Sequence, residues 1–180
     1  AWLLRPLNFP DADQLVIAFA AQPERPTEPA VWLPYRAYAA WKERSRSFKS
    51  ISGAFPRDMT LTTAAHAETV LGLSVTPEFF RTFGISAFLG RTLGAVDVNG
   101  APTVVLSHGL WQRQFGGSYE VVGKAITLSG APHEIVGVMP QDFETRVLDM
   151  RFEFWTSLMP EGGYAPNGVG PVAVVGRLRN

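Results

Sequence analysis

The chain has no cysteine among its 180 residues, which excludes disulfide staples, thiolate metal centres and cysteine nucleophiles together. That absence does not fix a compartment, because an extracytoplasmic domain with an adequate core needs no staples. Neither sign of charge is in surplus, since 16 basic residues balance 16 acidic ones. A nucleic-acid binder needs a basic excess to displace counterions from phosphates, so nucleic acid is not an expected partner. No apolar run approaches the roughly 18 residues that a membrane-crossing helix requires, and the longest near the N-terminus, Leu15–Ala21, is strand-sized. Nor does the sequence carry a basic segment followed by a cleavable apolar one. Histidine is scarce: His66, His108 and His133 fall in three separate segments, without the spacing of a zinc site.

What is present is apolar. Hydrophobic residues make up 46% and charged residues 18%, enough to bury a core as one medium domain or two small lobes. The chain starts abruptly at Ala1-Trp2-Leu3-Leu4 and stops just after a strand-like Val172–Arg179. It is therefore expected to be a segment of a longer polypeptide.

Periodicity predicts the elements. Leu15–Ala21 reads as a buried strand, followed by an exposed, extended connection over Gln22–Pro29 with three prolines among charges. A helix is expected from Pro34, placed in its first turn, with Tyr38 and Trp41 on its apolar stripe and an end before Phe48. Ile51–Phe55 and Met59–Thr63 read as two strands interrupted by Pro56-Arg57-Asp58, and Glu68–Val75 as another. Thr76-Pro77-Glu78 reads as a helix start, with Phe79, Phe80 and Phe83 buried and Gly84 as terminator. Asp97–Ala101 reads as a turn and Val104–Leu106 as a strand. Ser107 is expected to cap a helix that buries Leu110, Trp111 and Phe115 and ends at Gly116-Gly117. Lys124–Leu128 and Glu134–Met139 form a hairpin around Ser129-Gly130. Residues 141–151 read as a loop, Phe152–Leu158 as a strand, 160–171 as a Gly/Pro/Asn-rich loop, and Val172–Leu178 as a last strand.

No residue set is poised for chemistry. Ser107-His108 follows a strand and opens a helix, but the pair of glycines that frames a nucleophile elbow is incomplete, with Val105 in the first place and Gly109 in the second. Gly117 and Gly123-Lys124 are separated by five residues and followed by Ala125, against the four residues and hydroxyl of a phosphate loop. Asp97-Val98-Asn99-Gly100 has its glycine two places early for a calcium loop and lacks the terminal glutamate. Asp11 and Asp13 beside Pro10 read as turn formers. The pairs Asp142/Glu144 and Asp149/Glu153 could act as acid and base only if folding brought them to a cleft. No catalytic, cofactor-binding or metal residue is assigned. Among 12 Phe, 5 Trp and 4 Tyr, Trp32, Trp155 and Tyr164 fall near turns and are candidate contact anchors.

An ordered set of short motifs carries a resemblance. Leu4-Arg5-Pro6-Leu7 with Phe9-Pro10-Asp11, Phe79-Phe80-Arg81 with Gly84, Leu89-Gly90-Arg91, Val105–Trp111, Phe115-Gly116-Gly117, Val122-Gly123-Lys124 and Val136–Pro140 follow one another. Together they resemble the periplasmic core domain of MacB/FtsX-type ABC transporter permeases, and among these the duplicated orphan permeases of acidobacteria. The resemblance covers nearly the whole chain and is most specific over Val104–Pro140. Residues 141–151 depart from the short Pro-Gly-Phe linker usual in that family.

The resemblance implies an α+β fold of two lobes. One is a porter-like lobe of mixed sheet and helices built from residues 1–78 and 158–180; the other is a smaller α+β lobe of residues 79–157 inserted into it. It implies a domain between a first transmembrane helix and a later group of three, anchored in the inner membrane and exposed on the periplasmic side, with the first lobe continuing past Asn180. Such domains are not enzymes and bind no cofactor. They relay ATP-driven motion to extracytoplasmic work, with the transmembrane helices and an ATPase domain or subunit as partners. A periplasmic adaptor, lipoprotein or peptide substrate is the further implied partner, and a dimer the implied state of the full transporter. Two other readings remain open from the residues: a ligand- or peptide-binding module of another membrane system, and a hydrolase using Ser107 or the paired carboxylates.

Overall fold

A computed structural model of the chain describes residues 10–18, 20–22, 25–30, 32–63, 66–143, 151–158 and 171–179. In chain order the elements are β1 (Leu15–Ala18), β2 (Ala20–Gln22), β3 (Arg25–Ala30), β4 (Trp32–Pro34), α1 (Tyr35–Arg44), β5 (Phe48–Thr62), β6 (Ala67–Val75), α2 (Phe79–Phe83), β7 (Leu89–Gly90), β8 (Thr103–Leu106), α3 (His108–Phe115), β9 (Ala125–Leu128), β10 (Ala131–Val138), β11 (Phe154–Ser157) and β12 (Pro171–Leu178). Short 3-10 turns lie at Ala12–Gln14, Ala95–Asp97 and Tyr119–Val121. Strands of both directions with few helices make this an α+β fold. The chain separates into two compact units: Ala1–Phe55 with Glu78–Ile85 and Pro160–Asn180, and Pro56–Pro77 with Ser86–Met159. These units differ from the expected lobes at three places: residues 56–77 and 158–159 fall in the second unit, and 79–85 in the first.

In the first unit β12 is the central strand. It pairs antiparallel with β1 (Ile17 opposite Val175), with β4 (Leu33 opposite Val172) and with the first half of β5 (Ser52 opposite Val175). The N-terminal and C-terminal stretches thus share one sheet, and Val172, Ala173, Val174 and Val175 are buried in it. The expected single strand Leu15–Ala21 is divided: β1 joins β12, whereas β2 pairs with β3 in a separate two-stranded sheet. That pairing also corrects the extended connection expected over Gln22–Pro29. Pro26 and Pro29 lie within β3, and a two-stranded sheet gives each strand an outer edge where a missing N–H costs nothing. Pro34 keeps an extended ψ of 138° as the last residue of β4, so α1 begins at Tyr35 and the proline stands just outside the helix. Tyr38 faces the core at 1% exposure. Its hydroxyl donates to Glu78 Oε2 at 3.2 Å, and Lys42 Nζ donates to Glu78 Oε1 at 2.7 Å.

α2 starts later than its Thr76-Pro77 signature suggests, with Glu78 in the cap position and its carbonyl accepting from Thr82 N–H. Phe79, Phe80 and Phe83 are buried as expected, with Phe79 and Phe80 edge to face at 5.3 Å. Gly84 closes the helix at φ 70°, with Ile85 N–H reaching Phe80 O, a Schellman closure that only a residue free to go left-handed makes cheaply.

β5 runs unbroken through Pro56, where two strands were expected. Its partner changes along its length: β12 up to Ala54, β9 from Leu61. Pro56 falls between the residues paired with β12 and those paired with β9, and β5 also neighbours β6 in the sheet.

In the second unit the strand order is β6-β11-β8-β10-β7, with β9 also on β10. β11 is parallel to β6 and antiparallel to β8, and β8 is parallel to β10. β9 and β10 form the expected hairpin. Ser129 and Gly130 both have positive φ, 48° and 80°, as a two-residue primed turn requires. The core gathers Leu61, Val70, Val104, Leu106, Leu110, Trp111, Val121, Leu128, Ile135, Val138 and Phe154, with Phe115 partly buried against it.

Candidate functional site

Ser107 is an N-cap. Its Oγ accepts from Leu110 N–H at 3.1 Å and its own N–H donates to Glu153 O at 2.8 Å. The neighbouring His108 turns its ring to Trp111 (5.1 Å, edge to face) and Phe88 (6.2 Å) rather than to the serine. A cap of this kind contributes about 1 kcal/mol. Ser107→Ala is therefore expected to lower unfolding free energy by about that amount in urea titration, and Ser107 is expected to resist serine-directed phosphonates.

The acidic residues are engaged elsewhere. Glu153, one of the paired carboxylates, holds Arg113 through both oxygens at 2.8 and 3.1 Å, and Arg113 also reaches Glu68 at 3.3 Å. This network ties α3 to β6 and to the approach to β11. Asp142 is exposed, while Glu144 and Asp149 lie outside the described residues. His66 is 4.0 Å from Glu68, and His133 is buried with Nδ1 3.0 Å from Ala131 O. Burial pushes the His133 imidazole below its ordinary value, against the opposite pull of Ala131 O. Among the described residues no three metal-binding side chains come together.

Asp97, read from sequence as part of a turn, is the most completely engaged carboxylate. At 2% exposure it takes Arg91 Nη1 and Nη2 at 2.8 Å each, Gly94 N–H at 2.8 Å and Thr103 Oγ1 at 3.0 Å. Burial alone would raise its pKa. The Arg91 hydrogen bonds, then those of Gly94 and Thr103, outweigh burial and hold it below the ordinary 3.8. Stability from such a group is fully present above the unfolded value and is lost as pH falls through the lower folded value. Asp97→Ala is expected to cost about 2 kcal/mol at neutral pH. In urea titrations across pH, the gap from wild type should persist down to about pH 4 and close only at more acid values.

Three of the resemblance motifs meet on β10. Gly137 lies opposite Gly90, and Arg91 N–H donates to Val136 O at 2.9 Å. Gly123 N–H, at φ 87°, donates to Ile135 O at 2.8 Å, and Ile135 N–H returns to Lys124 O. Gly116, at φ 58°, ends α3. These glycines shape backbone.

Of the candidate anchors, Trp155 is a core residue at 1% exposure, against Phe143 at 5.3 Å. Tyr164 and the side chain of Trp32 lie outside the described residues. The exposed rings are ones that sequence reasoning passed over. Phe88 is 49% and Tyr119 67% exposed, and each leans on Trp111, at 5.8 and 5.9 Å. Both are aromatics between elements, the same criterion that singled out Trp32 and Tyr164. The arrangement offers apolar contact area beside the His108 ring.

Comparison with known proteins agrees with this picture. The chain matches the MacB-like periplasmic core domain over residues 4–165. Its fold is similar to the periplasmic region of MacB from Actinobacillus actinomycetemcomitans, at TM-score 0.69 and 14% identity, covering 92% of this chain and 74% of that one. It is also similar to the extracellular domain of the noncanonic ABC-type transporter YknZ from Gram-positive bacteria, at TM-score 0.69 and 15% identity, covering 92% and 84%. No curated protein sequence matches it. With nine-tenths of its length matched by one family, the chain is a member of the MacB-like periplasmic core domain family.

Proposed function

We propose that this chain is the non-catalytic, extracytoplasmic domain of an inner-membrane ABC transporter permease, passing ATP-driven conformational change to an external substrate or partner protein. The family match carries the reading. It is supported by the way the chemistry-bearing side chains are spent: Ser107 on a cap, Glu153 and Asp97 on arginines, His108 on rings. The two units stand for the two lobes the family resemblance implies. ATP would be hydrolysed on another domain or subunit, the permease would act as a dimer, and the partner would be an adaptor, lipoprotein or peptide outside the cytoplasm. No helix among the described residues is long and apolar enough to cross a membrane, so anchoring would fall to helices elsewhere in the permease.

Because this segment has no cysteine, a cysteine introduced into it is the segment's only label site. In the full-length permease, Glu43→Cys on exposed α1 is expected to react with a membrane-impermeant maleimide in cells whose outer membrane alone is permeabilised. Reaction only after lysis would refute the extracytoplasmic placement. Saturable binding of a small solute by the isolated chain would instead favour a ligand-binding module.

A further inference from the structure

Arg177 is a charged side chain in the middle of the first unit's sheet. Its backbone is held on both sides, opposite Leu15 of β1 and Ser50 of β5. Its side chain is 6% exposed, a burial that a guanidinium tolerates only when its donors are met. They are met incompletely. Nε donates to Thr82 O at the end of α2, at 2.8 Å, and Nη1 to the main-chain carbonyl of Asp11, at 3.1 Å. Nη2 is buried with no hydrogen-bond partner among the described residues, beside Gly84, where an added Cβ would lie 3.5 Å away. The nearest carboxylate oxygen, Asp11 Oδ2, stands 4.0 Å from Nη1 on a side chain that is 71% exposed. Asp11 itself is held at φ 49°, a left-handed conformation that costs a non-glycine residue energy.

An under-satisfied buried cation thus holds a strained turn mainly through a neutral carbonyl, with the mostly exposed Asp11 carboxylate at the 4.0 Å limit of an ion pair. Both features favour letting the turn go, since opening relaxes Asp11 and lets water reach the guanidinium. The sheet does not depend on this contact, because β12 keeps its ladders to β1 and β5. We propose that Arg177 is a releasable latch, holding the Pro10–Gln14 turn against β12 and allowing it to swing off while the β1–β12–β5 sheet stays paired. Its use, as a compliant point between the first segment of the domain and its last strand, rests on the relay reading. The latch itself does not.

Hydrogen exchange on this chain alone tests it, with no ATPase present, so failure of the relay reading leaves the result intact. The reporter is Gln14 N–H, which donates to Asp11 O at 3.0 Å. In wild type, Gln14 is expected to exchange through an opening insensitive to low denaturant, while β12 amides exchange only with global unfolding. Arg177→Met is expected to speed Gln14 exchange about tenfold and leave β12 protected. Asp11→Gly keeps the carbonyl and removes the strain, and is expected to hold Gln14 at or above wild-type protection. Failure of Arg177→Met to fold, or uniform loss of protection along β12, would make Arg177 a core member and overturn the proposal. Loss of Gln14 protection in Asp11→Gly would overturn it too, by showing that the carboxylate rather than the carbonyl holds the turn.

Discussion

Trp111→Ala is expected to cost about 3–5 kcal/mol, the range for truncating a large buried aromatic. The residue is 2% exposed on α3 and belongs to the core with Leu106, Leu110, Val121 and Ile135. Its Nε1–H donates to Ser118 O at 2.9 Å, which fixes the indole and the turn that follows the helix. Alanine removes the packing, leaves a cavity that the surrounding strands cannot fully close, and withdraws the support beneath Phe88 and Tyr119. Trp111→Phe keeps most of the volume and should lose far less, about 1–2 kcal/mol. Urea denaturation followed by far-ultraviolet circular dichroism measures both. The loss should fall on the transition of the second unit, because two units need not unfold together. An unchanged midpoint in Trp111→Ala would show that the helix is not docked on this core.

Gly137→Ala is expected to cost about 3 kcal/mol, in this case by overpacking. A Cβ on Gly137 would sit 2.1 Å from Arg91 O and 3.0 Å from Leu89 O. Both are backbone atoms of β7 and its exit, which no rotamer change can move aside. Relief requires β7 to leave β10, forfeiting Phe88 N–H to Val138 O and Arg91 N–H to Val136 O, 2.8 and 2.9 Å. The shift would also drag Arg91 from Asp97, so the acid-sensitive clamp should weaken in the same variant. Gly94→Ala is the control. Its φ of −149° is extended and nothing lies within 4 Å of an added Cβ, so its midpoint should move by less than about 0.5 kcal/mol.

Gly137 also shows what was legible in the sequence and what was not. Leu89-Gly90-Arg91 and Val136–Pro140 stand out as motifs, but nothing in their spacing says that the two glycines face each other across a strand pair. Local chemistry read well wherever one residue decides the backbone. Ser107 caps, Gly84 and Gly116 terminate, and Ser129-Gly130 turns, because the constraint lies within four or five residues. Proline misled wherever tertiary pairing decided. Pro56 looks like a break and is carried inside β5, and Pro26 and Pro29 look like a linker and sit in β3. The strand that holds Pro56 takes its partners β12 and β9 from distant segments, whereas β3 pairs with β2 just before it, a pairing that the prolines hide. Asp97 was legible only in part for a related reason: Asp97–Ala101 reads as a turn, but nothing nearby in the sequence says that its carboxylate is buried against Thr103 and Arg91. Of the candidate chemistry, the cap role of Ser107 was readable, since the residue follows a strand and opens a helix. The exposed pair Phe88 and Tyr119 was not, because burial of an aromatic between elements depends on which side of Trp111 it reaches.

The most direct test of the relay account is a distance measurement in the working transporter. Glu43 and Glu120 are exposed, one in each unit, and the absence of cysteine from this chain leaves both free for spin labels after mutation to cysteine. In the reconstituted permease with its ATPase, electron–electron dipolar spectra should give different label distance distributions in the nucleotide-free and ATP-trapped states. The same distribution in both states, with ATP turnover intact, would contradict the account.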